Sequence, residues 1–205
     1  MILYALMVAA KHPTDGNVYI YSREYDLSSF GFFYKNTIKE SFKFLCRESV
    51  ALPALSYGTR HTVVHEDQFT VHILVSDKQQ LAVFAFCDSS YPRRIAFKCL
   101  DEFLEAFESK VGENWTKYTK DENIDFGGLH LLLKSYKDPK QSDALTKAQG
   151  KTDEIKVILH ENIRKLLERG ENLERLVDKS KDLSEQSKLF FKQAKKVNKG
   201  CCNMF

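Results

Sequence analysis

The 205-residue chain reads as an α+β protein, a folded N-terminal domain followed by one long coiled-coil strand. Three observations predict this. Beyond Phe126 only Phe190 and Phe191 precede the terminal Phe205, and the sole tryptophan is Trp115, so the first two-thirds can build a core and the last third cannot. Periodic segments in the order β-β-α-β-β-β-α-α fill the region up to residue 135, which implies an antiparallel sheet with helices packed on it. From Leu145 onward, apolar residues recur in alternating steps of three and four, the a/d pattern of a coiled coil.

Ile2 to Ala9 and Val18 to Ser22 are strand-like runs around a turn containing Pro13, Asp15 and Gly16. Met1 to Ala10 lacks the basic leader of a signal peptide and is read as the first strand. Asn36 to Glu48 has helical spacing. Ile38, Phe42 and Leu45 form one stripe, and Phe44 points about 200° away from Phe42, so this helix is apolar on two sides. Arg60 to Val64, Phe69 to Val75 and Leu81 to Phe86 are the next strands, the middle one alternating strictly. Pro92 opens a helix carrying Ile95, Leu100, Phe103, Leu104 and Phe107. A shorter helix around Asn123 to Leu133 is interrupted by Gly127 and Gly128, and a polar segment with Pro139 follows as the domain boundary. The expected organisation is a folded domain over 1–135, a linker over 136–144, a coiled-coil segment over 145–198 and a tail over 199–205.

Composition excludes several functions. A net charge of +3 is too small to argue for nucleic acid. The phosphate-cradling glycine loop, the zincin pattern and the nucleophile elbow are all missing, so the chain does not read as an enzyme. His61, His65 and His72 would share one polar face if Glu66-Asp67 made a two-residue turn, and are expected to be surface histidines and not zinc ligands. Cys46, Cys87 and Cys99 sit in apolar or helical contexts, as buried free thiols do. No run approaches the roughly 20 apolar residues of a spanning helix. Neither metal nor cofactor is expected.

The coil segment carries the chemistry. Its seam includes Leu145, Ile155, Leu159, Leu166, Leu173, Leu176, Leu183, Phe190 and Val197, and Arg169 lies in the middle of it. Burying a guanidinium costs several kcal/mol unless its donors are satisfied, and a homodimer would set two such charges face to face. Partner helices that supply neutral acceptors at that level would complete the layer and fix the register. After the seam come Lys192, Lys195, Lys196 and Lys199, then Cys201-Cys202-Asn203-Met204-Phe205. The last four residues have the form of a prenylation signal on Cys202, with Cys201 placed for palmitoylation. One lipid binds a membrane marginally and two bind it stably, and the lysines suit an anionic surface.

Leu166-Leu167-Glu168-Arg169-Gly170-Glu171 resembles the central layer of an R-SNARE, with Asn162 a polar seam position two layers earlier. The paired-cysteine ending resembles the Ykt-type longin R-SNAREs. So do Asp26-Leu27-Ser28-Ser29-Phe30-Gly31-Phe32-Phe33, Gly58-Thr59-Arg60, Tyr91-Pro92-Arg93-Arg94-Ile95-Ala96-Phe97 and Asp153-Glu154-Ile155-Lys156-Val157-Ile158-Leu159-His160. The resemblance implies a profilin-like longin domain, with a five-stranded antiparallel sheet between one helix and two others. It implies a vesicle-fusion role in which the coil pairs with three Q-SNARE helices and is later separated by the SNARE disassembly machinery. Cytosol and the cytoplasmic face of Golgi, vesicle or vacuolar/endosomal membranes are the expected locations. It also favours Phe42 as the outward aromatic of the first helix, so that Phe42, Ile38 and Leu45 would line a groove for the coil or the prenyl chain. The alternative is a longin-type trafficking adaptor whose folded domain recruits partners and whose coil is only a spacer.

Overall fold

A computed structural model describes residues 1–53, 55–65, 69–78, 80–139, 156–167, 172–189 and 191, leaving aside the side chains of 163 and 164. Strands β1 (Leu3–Lys11), β2 (Val18–Tyr25), β3 (Arg60–His65), β4 (Phe69–Val75) and β5 (Leu81–Cys87) form an antiparallel sheet. A sixth strand, β6 (Ile158–His160), adds to its edge, giving the order β2-β1-β5-β4-β3-β6. Helix α1 (Lys35–Ala51) covers one face of the sheet, while α2 (Arg93–Val111) and α3 (Leu129–Ser135) cover the other.

Burial on both faces explains why the central strands read as apolar runs and not as alternating patterns. In β5, Ala82, Phe84 and Phe86 face the α1 layer, while Leu81, Val83, Ala85 and Cys87 face the α2 layer. β1 divides in the same way, with Met7 and Ala9 on one side and Leu6, Val8 and Ala10 on the other. Trp115 is buried in the α2 layer, 5.3 Å from the Tyr21 ring. Helix α3 starts later than the periodicity suggests because Gly127 and Gly128 take φ of 73° and 142°, the left-handed region where an L side chain is strained. Beyond α3, Tyr136 is buried and its carbonyl accepts a 2.6 Å hydrogen bond from the Tyr91 hydroxyl. Cys46, Cys87 and Cys99 are buried free thiols, and burial pushes each well above the ordinary thiol range. Among the described residues no helix is long and apolar enough to cross a membrane.

The β3–β4 hairpin corrects one expectation. His65 pairs with Phe69, so three residues separate the strands and not two. His61 then opposes Ile73, and His72 opposes Thr62. A one-residue change of register moves a side chain to the other face. The three histidines are buried, and they divide between faces: His65 meets Phe69 in the α1 layer, while His72 meets Phe97 in the α2 layer. They do not converge. Burial pushes the His72 imidazole down to about 4, with a smaller push from Arg93. An unfolded chain takes up that proton near the ordinary value of about 6.5. Stability from a neutral His72 is therefore full above that value and is lost as pH falls from about 6.5 to about 4, by about 3 kcal/mol in all. Thermal melts across this range should show the loss, and His72→Gln should flatten the slope.

Candidate functional site on the outer face of α1

The segment expected to be a continuous coiled-coil helix is folded back onto the domain. In place of one helix it forms β6, then α4 (Ile163–Leu167), α5 (Leu173–Lys179) and a helical stretch over 185–189. Local capping supports the breaks. The Asn172 side chain accepts from the Glu174 amide at the start of α5, and the Asn162 side chain accepts from the Lys165 amide at 3.1 Å. Asn162, expected as a polar seam residue, acts here as a cap. An isolated amphipathic strand has no partner for its apolar face, so breaking it to bury leucines against a neighbour is the favourable alternative.

Two surfaces of the domain receive the segment. The first is the β3 edge. Without β6 this edge would present open backbone donors and acceptors, and β6 pairs with it in parallel, Ile158 against His61 and His160 against Val63. His61 Nδ1 lies 3.0 Å from His160 Nε2, with the rings stacked at 5.3 Å. One ring must donate and the other accept, so this contact is incompatible with two fully protonated imidazoles. Seam residue Leu159 is 58% exposed here, because a strand places it on the opposite side from its neighbour His160.

The second surface is the outer face of α1. Glu40, Phe44 and Arg47 follow one another at i, i+4 and i+7, so they share a stripe. The Ser184 amide and the Ser187 hydroxyl both donate to Glu40 Oε2, at 2.9 and 2.6 Å. Burial pushes this carboxyl up, but the two serine hydrogen bonds outweigh it and hold the group below the usual range. The Phe44 ring meets the Phe191 ring at 5.2 Å. Arg47 Nε donates to Asp182 Oδ2 at 2.5 Å and Nη2 to Asp121 Oδ2 at 2.6 Å, while Nη1 donates to the Val18 carbonyl. A single guanidinium thus ties the coil segment, α1 and the loop after α2 together. Leu166, Leu167, Leu173, Val177, Leu183 and Phe191 join the apolar cluster that contains Phe44.

This geometry corrects the assignment of α1. Phe42 faces the sheet, stacked on Phe86 at 4.0 Å and edge-on to Phe69 at 5.2 Å. Phe44 is the aromatic that meets the coil. Ile38 and Leu45 are buried in the same cluster, but the stripe that hydrogen-bonds, ion-pairs and packs its ring against the coil is Glu40-Phe44-Arg47. Of the expected seam, Leu166, Leu173 and Leu183 are buried and Leu176 is partly so, whereas Leu167, Val177 and Phe191 are buried from off-seam positions. Leu145, Ile155, Arg169, Phe190, Val197, Cys201 and Cys202 lie outside the described residues.

Comparison with known proteins agrees with both parts of the chain. A family model described as a regulated-SNARE-like domain matches residues 27–129, and one described as synaptobrevin matches residues 144–204. VAMP-like protein YKT61 of Arabidopsis thaliana is 37% identical over 204 residues, covering 100% of both chains. VAMP-like protein YKT62 of the same plant is 34% identical over 206 residues with the same coverage. The synaptobrevin homolog YKT6 of Yarrowia lipolytica is 37% identical over 179 residues, 86% of this chain and 87% of its own.

Proposed function

Because this chain belongs to the YKT6-type family of longin-domain SNAREs, which act in vesicle fusion with other SNAREs and are not enzymes, we propose that it is an R-SNARE held in check by its own longin domain. In the active form, residues 145–197 are one helix of roughly 80 Å at 1.5 Å per residue. That helix zippers in parallel with three Q-SNARE helices, whose neutral side-chain acceptors surround Arg169. A prenyl group on Cys202 and a palmitoyl group on Cys201 anchor it, so zippering toward the C-terminus draws two membranes together. Burying each seam leucine contributes about 1.5–3 kcal/mol before ordering costs.

The observation that carries the inhibited form is the double use of the seam. Leu166, Leu173 and Leu183, which a four-helix bundle requires, are buried against the longin domain. A side chain cannot occupy both sites, so closure and zippering compete. The closed form also hides apolar surface that would otherwise meet water before partners arrive.

Mixing the chain with three cognate Q-SNARE helices tests the reading. A heat-resistant four-helix complex is expected, and Arg169→Leu should still form helix but lose the ordered, fully registered complex. Identical assembly and disassembly kinetics for the variant would remove the register role. Intact-mass measurement of the protein from its own cells should show the prenyl and palmitoyl increments on the terminal cysteines, and an unmodified mass would rule the anchors out.

A further inference from the structure

The turn ahead of α1 bears a feature that neither zippering nor closure uses. Phe32, Phe33 and Tyr34 are consecutive and are 82%, 82% and 60% exposed. Soluble proteins rarely leave adjoining large aromatics in water without a use for them. These three are not on a loose loop. They form one 3-10 turn that runs directly into α1, with the Tyr34 amide donating to the Gly31 carbonyl at 2.9 Å. Just before the turn, the Phe30 ring packs 4.9 Å from the Tyr4 ring of β1 and pins it to the sheet. The aromatics are held outward.

Lysines stand directly behind the turn on α1. The N-terminus of a helix favours acidic residues, yet the first turn of α1 has none and starts with Lys35. Lys39 follows one turn later and is exposed, 5.5 Å from the Tyr25 ring. Nearby Asp26 is already neutralised by Lys137 at 2.5 Å, which holds its carboxyl down at about 2. Glu40 is taken up by Ser184 and Ser187. Both of these acids are thus occupied within the molecule.

We propose that Phe32, Phe33 and Tyr34, backed by Lys35 and Lys39, form a docking surface for an anionic phospholipid bilayer. Two of the rings protrude with four-fifths of their surface in water, so no groove surrounds them and no partner pocket is implied. A protruding aromatic tip needs no shape-matched receptor when it enters the boundary between headgroups and acyl chains, the zone where aromatic rings concentrate. Lysines directly behind it meet anionic headgroups. Docking by this tip is independent of the terminal lipids. It would hold the folded domain, and the coil clamped to α1, at the membrane surface before zippering.

Co-sedimentation of the full-length, unlipidated chain with vesicles of phosphatidylcholine, with or without phosphatidylserine, is the test. Binding to the phosphatidylserine vesicles is expected to be stronger by about tenfold or more. Phe32→Ser/Phe33→Ser should abolish that binding, and Lys35→Glu/Lys39→Glu should erase the preference for the anionic lipid. Unaltered binding by the aromatic variant would overturn the proposal, because the lysines near the C-terminus would then be the whole site. Failure of the unmodified chain to bind either vesicle would overturn it too, as would variants that keep vesicle binding but lose a SNARE partner. Should the double variant fold poorly, Phe33→Trp carries the test: brominated lipid should quench the new indole, and an unquenched indole would refute insertion. Formation of the four-helix complex in solution needs no membrane, so failure here leaves the zippering reading untouched.

Discussion

Phe44→Glu is expected to release the coil segment from the longin domain while leaving the sheet folded. The Phe44 ring is fully buried, and it packs edge-on against the Phe191 ring of the segment at 5.2 Å. Removing a buried phenylalanine costs about 3–5 kcal/mol, and an unpaired carboxylate at the same point adds a desolvation penalty of several kcal/mol. Detachment of the segment relieves both, because it lets water reach the new carboxylate. About 5.5 kcal/mol suffices to turn a population ratio of 99:1 into its inverse. The expected readout is a larger hydrodynamic radius with unchanged Trp115 emission, since Trp115 lies in the α2 layer on the far side of the sheet. Phe42→Glu should behave differently. It places a charge between Phe86 and Phe69, and should unfold the domain and shift Trp115 emission. A Phe44 variant with the radius of the unmodified protein would show that this contact does not hold the segment.

The second large effect is expected at Arg47. Its guanidinium satisfies Asp182, Asp121 and the Val18 carbonyl together, and hydrogen bonds to charged groups contribute about 1.5–3 kcal/mol each where they are buried. Arg47 and Asp182 are 24% and 17% exposed, so solvent screens the pair only in part. Arg47→Ala should therefore loosen two regions in hydrogen exchange, the coil around residue 182 and the loop around residue 121. Asp182→Ala should loosen only the first, because Arg47 keeps Asp121. A double-mutant cycle on Arg47 and Asp182 should give a favourable coupling, and a coupling of zero would mean the ion pair is incidental to closure.

Much of the fold was legible because its signals are local. β4 runs from Phe69 to Val75 as its strict alternation indicates, and Pro92 marks the start of α2. Register was not legible, since the length of the turn after His65 decides it, and one residue set His61 and His72 on opposite faces of the sheet and not on a shared one. The coil-facing stripe of α1 was legible in principle. Ile38, Phe42 and Leu45 are apolar at every step, as a core stripe is, whereas Phe44 stands between Glu40 and Arg47, charged groups that need partners outside the core. The sixth strand could not be read from the heptads. Residues 158–160 sit within the heptad periodicity, yet they form a strand because the β3 edge offers backbone hydrogen bonds that no periodicity encodes. The roles of Asp182, Ser184 and Ser187 also follow only from the tertiary arrangement.

The claim that longin closure and SNARE zippering compete for the same leucines is tested most directly by the rate of complex formation. The full-length chain, Phe44→Glu and the isolated 145–198 segment would each be mixed with the same three Q-SNARE helices under identical conditions. Slow assembly of the full-length chain is expected, with the Phe44 variant and the isolated segment both fast and equal. Three equal rates would contradict the account.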